Sequence, residues 1–431
     1  MRWTGMLALV TGLASLALAS AAYSQPGQLD ATFGGDGRVT TNVTAGGDFA
    51  ADVVVQTDGK VVVAGGARWE RDGRFALLRY NADGTLDTTF GGDGKVTTNF
   101  TPRLDAAWGL AIQSDGKIVA AGDAGLRSGD SRFAVVRYNT DGTLDSTFGG
   151  DGKVTTQFTR ADDPVAGIAL QADGKIVVSG GAAWNTRHAN FALARYNVDG
   201  ALDASFGGDG RVTTSFTRGR DYANEVVVQA DGRIVAGGYA AYSRTKGRDR
   251  FALARYNVDG TLDVSFGGDG KVTTDFTSRN DVVLDLALQP DGKIVAVGIA
   301  GSDGSNPNFA IARYEVGGTL DASFSGDGKV KTDFTAGYDQ AEAVAVQPDG
   351  RLVVGGATAG LGGRFVVARY DVGGALDSTF NGGGLAATNF TRHDDFAFGL
   401  ALQADGNIVL AGGSGWGGSN PEVALARYLG S

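Results

Sequence analysis

The stretch Trp108–Phe148 reads WGLAIQSDGKIVAAGDAGLRSGDSRFAVVRYNTDGTLDSTF, and it contains four short apolar runs separated by turn residues. The runs are Trp108–Gln113, Lys117–Gly122, Phe133–Tyr138 and Thr143–Phe148. Runs of this length, bounded by Gly, Asp and Asn, are typical of β-strands. Because both faces of each run are apolar, we expect strands that are covered on both sides. The stretch therefore predicts a unit of four strands.

Three landmarks show that this unit recurs seven times, at intervals of about 58 residues. A Leu-Asp pair followed by Phe begins at Leu29, Leu86, Leu144, Leu202, Leu262, Leu320 and Leu376. A Gln-x-Asp-Gly motif begins at Gln56, Gln113, Gln171, Gln229, Gln289, Gln347 and Gln403. An Arg-Tyr pair ends at Tyr80, Tyr138, Tyr196, Tyr256, Tyr314, Tyr370 and Tyr428. Seven repeats of four short strands predict an all-β fold, a single seven-bladed β-propeller over residues 23–431.

The Asp-Gly turns set the pairing of the strands that they connect. Asn81–Thr85 fits a three-residue hairpin loop with Gly84 in the left-handed conformation. This loop places Arg79 opposite Asp87, and the same two residue types recur in every repeat. Between packed blades such a pair is buried, so we interpret it as structural.

The order of the landmarks predicts how the ring closes. The chain begins with a fourth-strand motif, Leu29-Asp30, and ends with a third-strand motif, Arg427-Tyr428. We therefore expect the segment Gln28–Phe33 to pair with Val423–Tyr428, which completes the last blade and places Arg427 opposite Asp30.

Composition excludes several classes of function. The 431 residues include no Cys and only two His, which excludes disulfides, thiol nucleophiles and cysteine metal sites. The net charge of −10 without a basic stripe argues against nucleic acid as a partner. Residues 1–22 have a positive start, an apolar stretch and small residues at the end, which is typical of a signal peptide. We expect an exported protein, periplasmic, cell-surface or secreted, with no membrane span.

The repeats resemble the bacterial delta-60 repeat family. The resemblance rests on the pattern Gln-Pro-Asp-Gly-Lys-Ile-Val in Gln289–Val295 and on Phe251–Phe266, and it covers about residues 28–431. It implies a β-propeller and an exported setting. It implies no activity and no catalytic residues.

Variation among the repeats is concentrated between the second and third strands. The distance from Tyr to the next Gln is constant at 33 residues, whereas the distance from Gln to the next Tyr varies from 23 to 27. These variable loops carry aromatic and basic residues, and exposed aromatics on a rigid scaffold are typical of binding sites. The predicted ligand-binding residues are Trp69, Arg71, Trp184, His188, Tyr239, Tyr242 and Trp416. The alternative is that the rings only cover the tops of the blades.

A second recurrent acid lies eight residues before each Gln. The set is Asp48, Asp105, Asp163, Asp221, Asp281, Asp339 and Asp395. Seven carboxylates there could form a ring at the channel mouth that attracts a cation, or each could bond backbone N–H groups of its own loop. We favour the structural interpretation.

Evidence for a cofactor or for catalysis is weak. Asn81–Asp87 resembles the start of a calcium-binding loop, but the distal Glu is missing and two repeats replace the middle Asp with Gly317 and Gly373. We expect no cofactor, with calcium as the alternative. No metal-binding His pair, nucleotide motif or catalytic constellation is present in the sequence. We therefore predict a non-enzymatic scaffold that binds a glycan, an envelope polymer or a protein. The alternatives are an extracellular polymer-acting hydrolase or lyase, or a purely structural envelope protein.

Overall fold

The computed structural model describes residues 25–69, 72–126, 129–241, 248–304, 306–359, 363–418 and 420–430. All regular secondary structure in these ranges is β, in 28 strands that form seven separate four-stranded sheets. No helix long and apolar enough to cross a membrane occurs in them. The prediction of an all-β, seven-bladed propeller is confirmed.

The strands occupy equivalent places in the seven blades. The first strands are β2 (Phe49–Val55), β6 (Leu104–Ile112), β10 (Val165–Leu170), β14 (Asp221–Val228), β18 (Asp281–Leu288), β22 (Tyr338–Val346) and β26 (Asp394–Leu402). The second strands are β3 (Val61–Ala67), β7 (Ile118–Leu126), β11 (Ile176–Ala182), β15 (Ile234–Ala241), β19 (Ile294–Ala300), β23 (Leu352–Ala359) and β27 (Ile408–Trp416). The third strands are β4 (Arg74–Tyr80), β8 (Arg132–Tyr138), β12 (Asn190–Tyr196), β16 (Asp249–Tyr256), β20 (Asn308–Tyr314), β24 (Gly363–Tyr370) and β28 (Glu422–Tyr428). The fourth strands are β5 (Lys95–Thr98), β9 (Lys153–Thr156), β13 (Arg211–Thr214), β17 (Lys271–Thr274), β21 (Lys329–Thr332), β25 (Leu385–Thr388) and, for the last blade, β1 (Arg38–Thr41).

The hydrophobic core lies between the blades. Each sheet is antiparallel in the order first to fourth strand, and the first strands of neighbouring blades contact each other around the central axis. The cluster between blades one and two, for example, packs Val62 and Phe75 against Ile118 and Tyr138. Since both faces of every blade are covered, all four runs of a repeat are apolar on both sides.

The fourth strand lies later in the chain than the sequence predicts. In the second blade the predicted run Thr143–Phe148 contributes one isolated bridge, between Leu144 and Tyr138, and the strand itself is Lys153–Thr156. The carboxylate of Asp145 accepts hydrogen bonds from the N–H and hydroxyl of Thr147, which turns the chain out of the sheet. The prediction that Thr143–Phe148 is the fourth strand was therefore wrong, because the strand begins only after the turn that follows Asp145.

The N-terminal segment does close the ring, through two contacts rather than one continuous strand. Leu29 forms a bridge with Tyr428, and β1 then pairs with β28 from Arg38 opposite Ala426 to Thr41 opposite Val423. Between them, Asp30 bends the chain as the equivalent Asp does in the other blades. The predicted strand Gln28–Phe33 is therefore corrected to Arg38–Thr41, with Leu29 as an outlying bridge.

The predicted ion pair of Arg and Asp is present in every blade. Arg79 Nε donates to Asp87 Oδ2 at 2.7 Å, and both side chains are buried. The same guanidinium donates through Nη1 to the carbonyl oxygen of Thr140, in the turn of the next blade. At the closure, Arg427 bonds Asp30 in its own blade and the carbonyl of Ala82 in the first. The arginines therefore connect consecutive blades around the whole ring.

We expect Asp30→Ala to destabilise the fold strongly, because it leaves the Arg427 guanidinium buried without its carboxylate. Breaking one side of a buried pair costs about 3–5 kcal/mol. The measurement is the midpoint of urea-induced unfolding.

The matched control is Asp36→Ala, six residues away in the same segment. Its pair with Arg38 is exposed, with side-chain exposures of 52% and 39%, so we expect a loss of roughly 0–1 kcal/mol. Equal shifts in the two variants would show that the buried pair does not close the ring.

Candidate functional site

The first strand of every blade is interrupted by a β-bulge. In the first blade the pairing register shifts between Ala50 and Asp52, so Ala51 is the extra residue. The equivalent residues of the other blades are Trp108, Ala166, Asn224, Leu284, Glu342 and Phe398, at or within the same register shifts. All seven line one cavity. Bulges direct side chains away from the regular alternation of a strand and are frequent beside binding sites.

A glycine of the second strand makes room for each bulge. At Gly65, a β-carbon would lie 2.0 Å from the carbonyl oxygen of Phe49, and six glycines at equivalent positions face the first strand in the same way. They are Gly122, Gly180, Gly238, Gly298, Gly356 and Gly412. Only glycine permits this approach of two backbones. This glycine, nine residues after each Gln landmark, is the sequence signal that marks the bulge.

The cavity measures about 750 Å³ and lies at the axis, on the face that carries the variable loops. Residues from all seven blades line it. The Asp-Gly turns lie on the opposite face.

The cavity brings together four of the predicted ligand-binding residues: Trp69, Trp184, Tyr239 and Trp416. His188 is placed elsewhere; its Nδ1 lies 2.8 Å from the carbonyl oxygen of Arg218, on the exposed surface. Arg71 and Tyr242 lie outside the described residues. A side groove of about 590 Å³ shares Trp184 and Tyr239 with the cavity and adds Arg187, Arg220 and Asp249.

The aromatic lining forms two groups. In the larger group, the ring centroid of Phe49 is 5.1 Å from that of Trp69, 5.6 Å from Trp108 and 5.9 Å from Trp416, and Phe398 completes it. In the smaller group, Trp184 lies 4.9 Å from Tyr222 and 6.3 Å from Tyr239. Sequence reasoning missed Phe49, Trp108, Tyr222 and Phe398, because they belong to strands and not to variable loops.

Five carboxyl groups also line the cavity: Asp52, Asp123, Glu225, Asp285 and Glu342. The lining that the structure describes contains no Lys, Arg or His. None of the five was predicted from the sequence. They stand in first- and second-strand positions where other repeats carry Gly, Ala, Asn, an aliphatic or an aromatic residue.

In three of these carboxyls, both oxygens accept hydrogen bonds from N–H groups. Asp52 accepts from the N–H of Val53 and of Leu110 in the next blade, each at 2.7 Å. Asp285 accepts in the same way from Leu286 and from Val344 of the next blade, at 2.6 and 2.7 Å. These carboxyls therefore connect neighbouring first strands at the bulge.

Asp123 holds an aromatic side chain in place. It accepts from the indole Nε1 of Trp108 at 2.6 Å and from the N–H of Val165 in the next blade at 2.8 Å. Trp108 is thereby fixed in the wall of the cavity.

Glu225 and Glu342 are less constrained. Glu225 Oε1 accepts from the N–H of Val226 at 2.9 Å, and Glu342 Oε1 accepts from the side-chain amide of Gln340. Among the described residues, the second oxygen of each Glu has no hydrogen bond. These two groups are therefore the carboxyls with capacity for a ligand.

Burial raises the pKa of all five carboxyls. The pKa of Asp52 rises to about 6, that of Asp123 and Asp285 to about 7, and that of Glu342 to about 8. Burial and the neighbouring Asp285 raise the pKa of Glu225 well above its usual range. Each acid also disfavours the ionisation of its neighbours, because no basic group in the described lining balances the negative charge.

The recurrent acids before the first strands do not face the cavity. Asp48 is fully buried and accepts from the N–H groups of Val43, Thr44 and Arg68 and from the Thr44 hydroxyl. Equivalent bonds hold the other six residues of the set. In six blades the described contacts also include a bond from the carboxylate to an N–H at the end of the second strand, where the variable loop begins.

The Asp-Gly turns use their carboxylates locally. Asp83 accepts from the N–H and the hydroxyl of Thr85. Within the described ranges, no group of three or more His, Asp and Glu side chains is arranged to hold a metal ion.

Seven four-stranded antiparallel blades around an axial cavity define a propeller built from sequence repeats. The chain belongs to the family described as domain of unknown function (DUF5122) beta-propeller, whose model matches residues 56–90, 113–148, 171–206, 229–266, 289–324, 347–380 and 403–430. The match supports a family of propeller repeats, and the delta-60 name stays a prediction. The sequence matches none of the curated proteins with which it was compared.

Solved structures share the fold at low identity. Sqt1 from Chaetomium thermophilum has a TM-score of 0.50 and 11% identity, over 89% of this chain and 96% of that chain. A catalytically inactive virginiamycin B lyase from Staphylococcus aureus with quinupristin has a TM-score of 0.49 and 11% identity, over 90% and 98%. Sqt1 bound to the N-terminus of ribosomal protein L10 gives a TM-score of 0.46 and 12% identity, over 89% and 97%. The similarity to Sqt1 at a TM-score of 0.50 shows the fold alone.

The raised pKa values predict a melting temperature that falls as the pH rises from about 5 to about 9. A carboxyl with a raised folded pKa stays protonated in the folded state while the unfolded chain loses its proton, so its stabilising contribution is lost as the pH rises through the folded pKa. The acids paired with Arg have the opposite effect on stability. Their pKa is lowered, as it is for Asp87, so they change the stability of the fold only at acidic pH. Glu342→Gln should reduce the slope, by an effect on the order of 1–3 kcal/mol across the range.

Glu315→Gln is the control, because Glu315 is 44% exposed and lies outside the cavity. Differential scanning fluorimetry across the pH range measures the slope. An unchanged slope in Glu342→Gln would contradict the assignment of a raised pKa.

Proposed function

We propose that this chain is a non-enzymatic binding propeller whose ligand enters the axial cavity on the variable-loop face. The observation that carries the proposal is that all four tryptophans among the described residues converge on one cavity: Trp69, Trp108, Trp184 and Trp416. A cavity of this volume with a mainly apolar lining and a few polar groups is typical of ligand sites. Glycans, envelope polymers and protein segments all offer parts of suitable size.

The carboxyls support binding better than hydrolysis. A glycosidase-type mechanism needs one protonated and one ionised carboxyl beside the substrate. Asp52, Asp123 and Asp285 have both oxygens engaged by N–H groups. Burial raises the pKa of both Glu225 and Glu342, which disfavours an ionised base at either position. A binding module is therefore better supported than an enzyme or a purely structural envelope protein.

The setting proposed for this module is outside the cytoplasm. The support is the signal-like sequence of residues 1–22, which lies outside the described residues. An exported location would expose the cavity to envelope polymers or to molecules taken from the medium.

We expect a ligand of the cavity to change the intrinsic tryptophan fluorescence of mature protein, because all four tryptophans after residue 22 line the site. The experiment tests glycans, envelope polymers and envelope extracts by fluorescence titration. Trp69→Ala and Trp416→Ala should each weaken binding about tenfold or more, as expected for aromatic anchors in a desolvated site.

The matched control is His188→Ala, on the same face but outside the cavity. Binding that depends on His188 and not on Trp69 or Trp416 would move the site to the outer loop surface. Turnover of a polymer would favour the enzyme instead.

A further inference from the structure

The charges of the cavity restrict the chemistry of its ligand. The titratable groups that face it are Asp52, Asp123, Glu225, Asp285, Glu342 and the phenols of Tyr222 and Tyr239. Every one is an acid, and no basic group lines the cavity in the part of the chain that the structure describes. When ionised, these carboxyls repel the carboxylate and phosphate groups of a ligand. A cation would be attracted both by the carboxyls and by the faces of the aromatic rings.

Among the described contacts, the acids that keep an oxygen without a hydrogen bond lie on one side of the cavity, whereas Asp52 and Asp123, on blades one and two, have both oxygens bonded to N–H groups. Glu225 and Glu342 belong to blades four and six, and Asp285 belongs to blade five between them. The larger aromatic group lies on blades seven, one and two. A ligand that spans the cavity would therefore place a charged end on one side and an apolar end on the other.

The buried hydroxyl of Ser179, near Glu225, has no hydrogen-bond partner among the described residues. Ser179 is fully buried, and its Oγ makes no hydrogen bond within the described structure. Gly167 leaves a space beside it: a β-carbon there would lie 2.8 Å from Ser179 Oγ and 2.8 Å from Glu225 Oε1. The other blades carry Ala, Gly or Val in place of Ser179. The hydroxyl therefore packs beside the Glu225 carboxyl, and it is not among the residues that line the cavity.

We propose that the axial cavity binds an organic ammonium ion, with its nitrogen between the carboxyl groups of Glu225 and Glu342 and its apolar part against the tryptophans. This inference rests on the proposed function and deepens it. The second oxygens of the two Glu side chains accept the N–H groups of the ligand, and Asp285 adds negative charge between them. The nitrogen belongs either to a free amine or to a lysine side chain of a polypeptide.

The test uses three probes of one size and different charge: 2-phenylethylammonium, 2-phenylethanol and phenylacetate. Each is titrated into the mature protein by calorimetry and tryptophan fluorescence. We expect the ammonium ion to bind at least about tenfold more tightly than the alcohol, and phenylacetate to bind more weakly still, as a charge-assisted contact in a desolvated site predicts. Equal affinity of ammonium and alcohol, or preference for the anion, overturns the proposal.

Two variants locate the nitrogen. Glu225→Gln and Glu342→Gln should each lower the affinity for the ammonium ion about five- to tenfold and leave the affinity for the alcohol unchanged, because a neutral amide keeps the shape and removes the charge. Glu315→Gln is the control. If one Glu variant fails to fold, the other variant still tests whether a carboxyl group binds the nitrogen. Normal ammonium binding in a folded variant rejects that residue's role.

Proton release gives an independent measurement. A bound cation ionises carboxyls that burial keeps protonated, so the binding heat should vary with the ionisation enthalpy of the buffer for the ammonium ion but not for the alcohol. The affinity for the ammonium ion should rise from about pH 6 to about pH 8, a range in which an alkylammonium stays charged. Binding that is independent of pH contradicts the pairing with Glu225 and Glu342.

A lysine peptide and its Nε-acetylated form distinguish the two sources of the nitrogen. Tighter binding of the lysine peptide than of 2-phenylethylammonium identifies a polypeptide ligand, and the reverse identifies a free amine. If no ammonium probe binds while an uncharged ligand binds with dependence on Trp69 and Trp416, the ammonium proposal fails and the proposed binding function stands.

Discussion

A buried guanidinium group connects each blade to the next, and the seven of them hold the ring together. In every blade its Nε pairs with an Asp of the same blade, its Nη2 donates to a Ser or Thr hydroxyl, and its Nη1 donates to a turn carbonyl of the following blade. A Phe ring lies beneath it, 4.7 Å from Cζ in the case of Arg79 and Phe90. Lysine could not replace arginine, because only a planar fork satisfies partners in three directions. A buried charge with a missing partner is strongly destabilising, so the turn, the Asp and the next blade are all required together.

This arrangement separates the parts of the repeat that hold the ring from those that are free to vary. The tyrosine hydroxyls form a second buried connection between blades, as between Tyr138 and Thr98 at 2.7 Å. Both connections lie on the third and fourth strands and on the Asp-Gly turns. The first strands and the loops between second and third strands carry neither. Substitutions at the axis therefore change the cavity without opening the ring.

The repeats predicted the number of blades, the closure by the N-terminal segment and the pairing of Arg427 with Asp30. They did not predict the fourth strand, since Leu144 and Phe148 are as apolar as a strand while Asp145 turns the chain through side-chain bonds. The cavity was predicted in part. Trp69, Trp184, Tyr239 and Trp416 stand out because they lie in the segments of variable length, although the structure places Tyr239 and Trp416 in the last residues of β15 and β27. Trp108 and the five acids lie in apparently regular strands. Their exposure to the cavity results from the bulges, which apolar spacing does not reveal, although the constant glycine of the second strand indicates them.

The bulges also explain how seven similar blades produce an asymmetric site. Each presents one extra residue to the axis, and these residues range from Ala51 and Ala166 to Trp108, Glu342 and Phe398. Asp52 and Asp285 have a second role, because they bond the neighbouring first strands and so hold the bulges in place. Glu225 and Glu342 make no such connection to another blade among the described contacts, yet they lie buried and close to Asp285. A charged side chain that neither holds the ring nor connects the strands, and whose ionisation burial opposes, does not serve the stability of the fold. The proposed ammonium ligand gives this side chain a function, because a bound cation favours its ionised form.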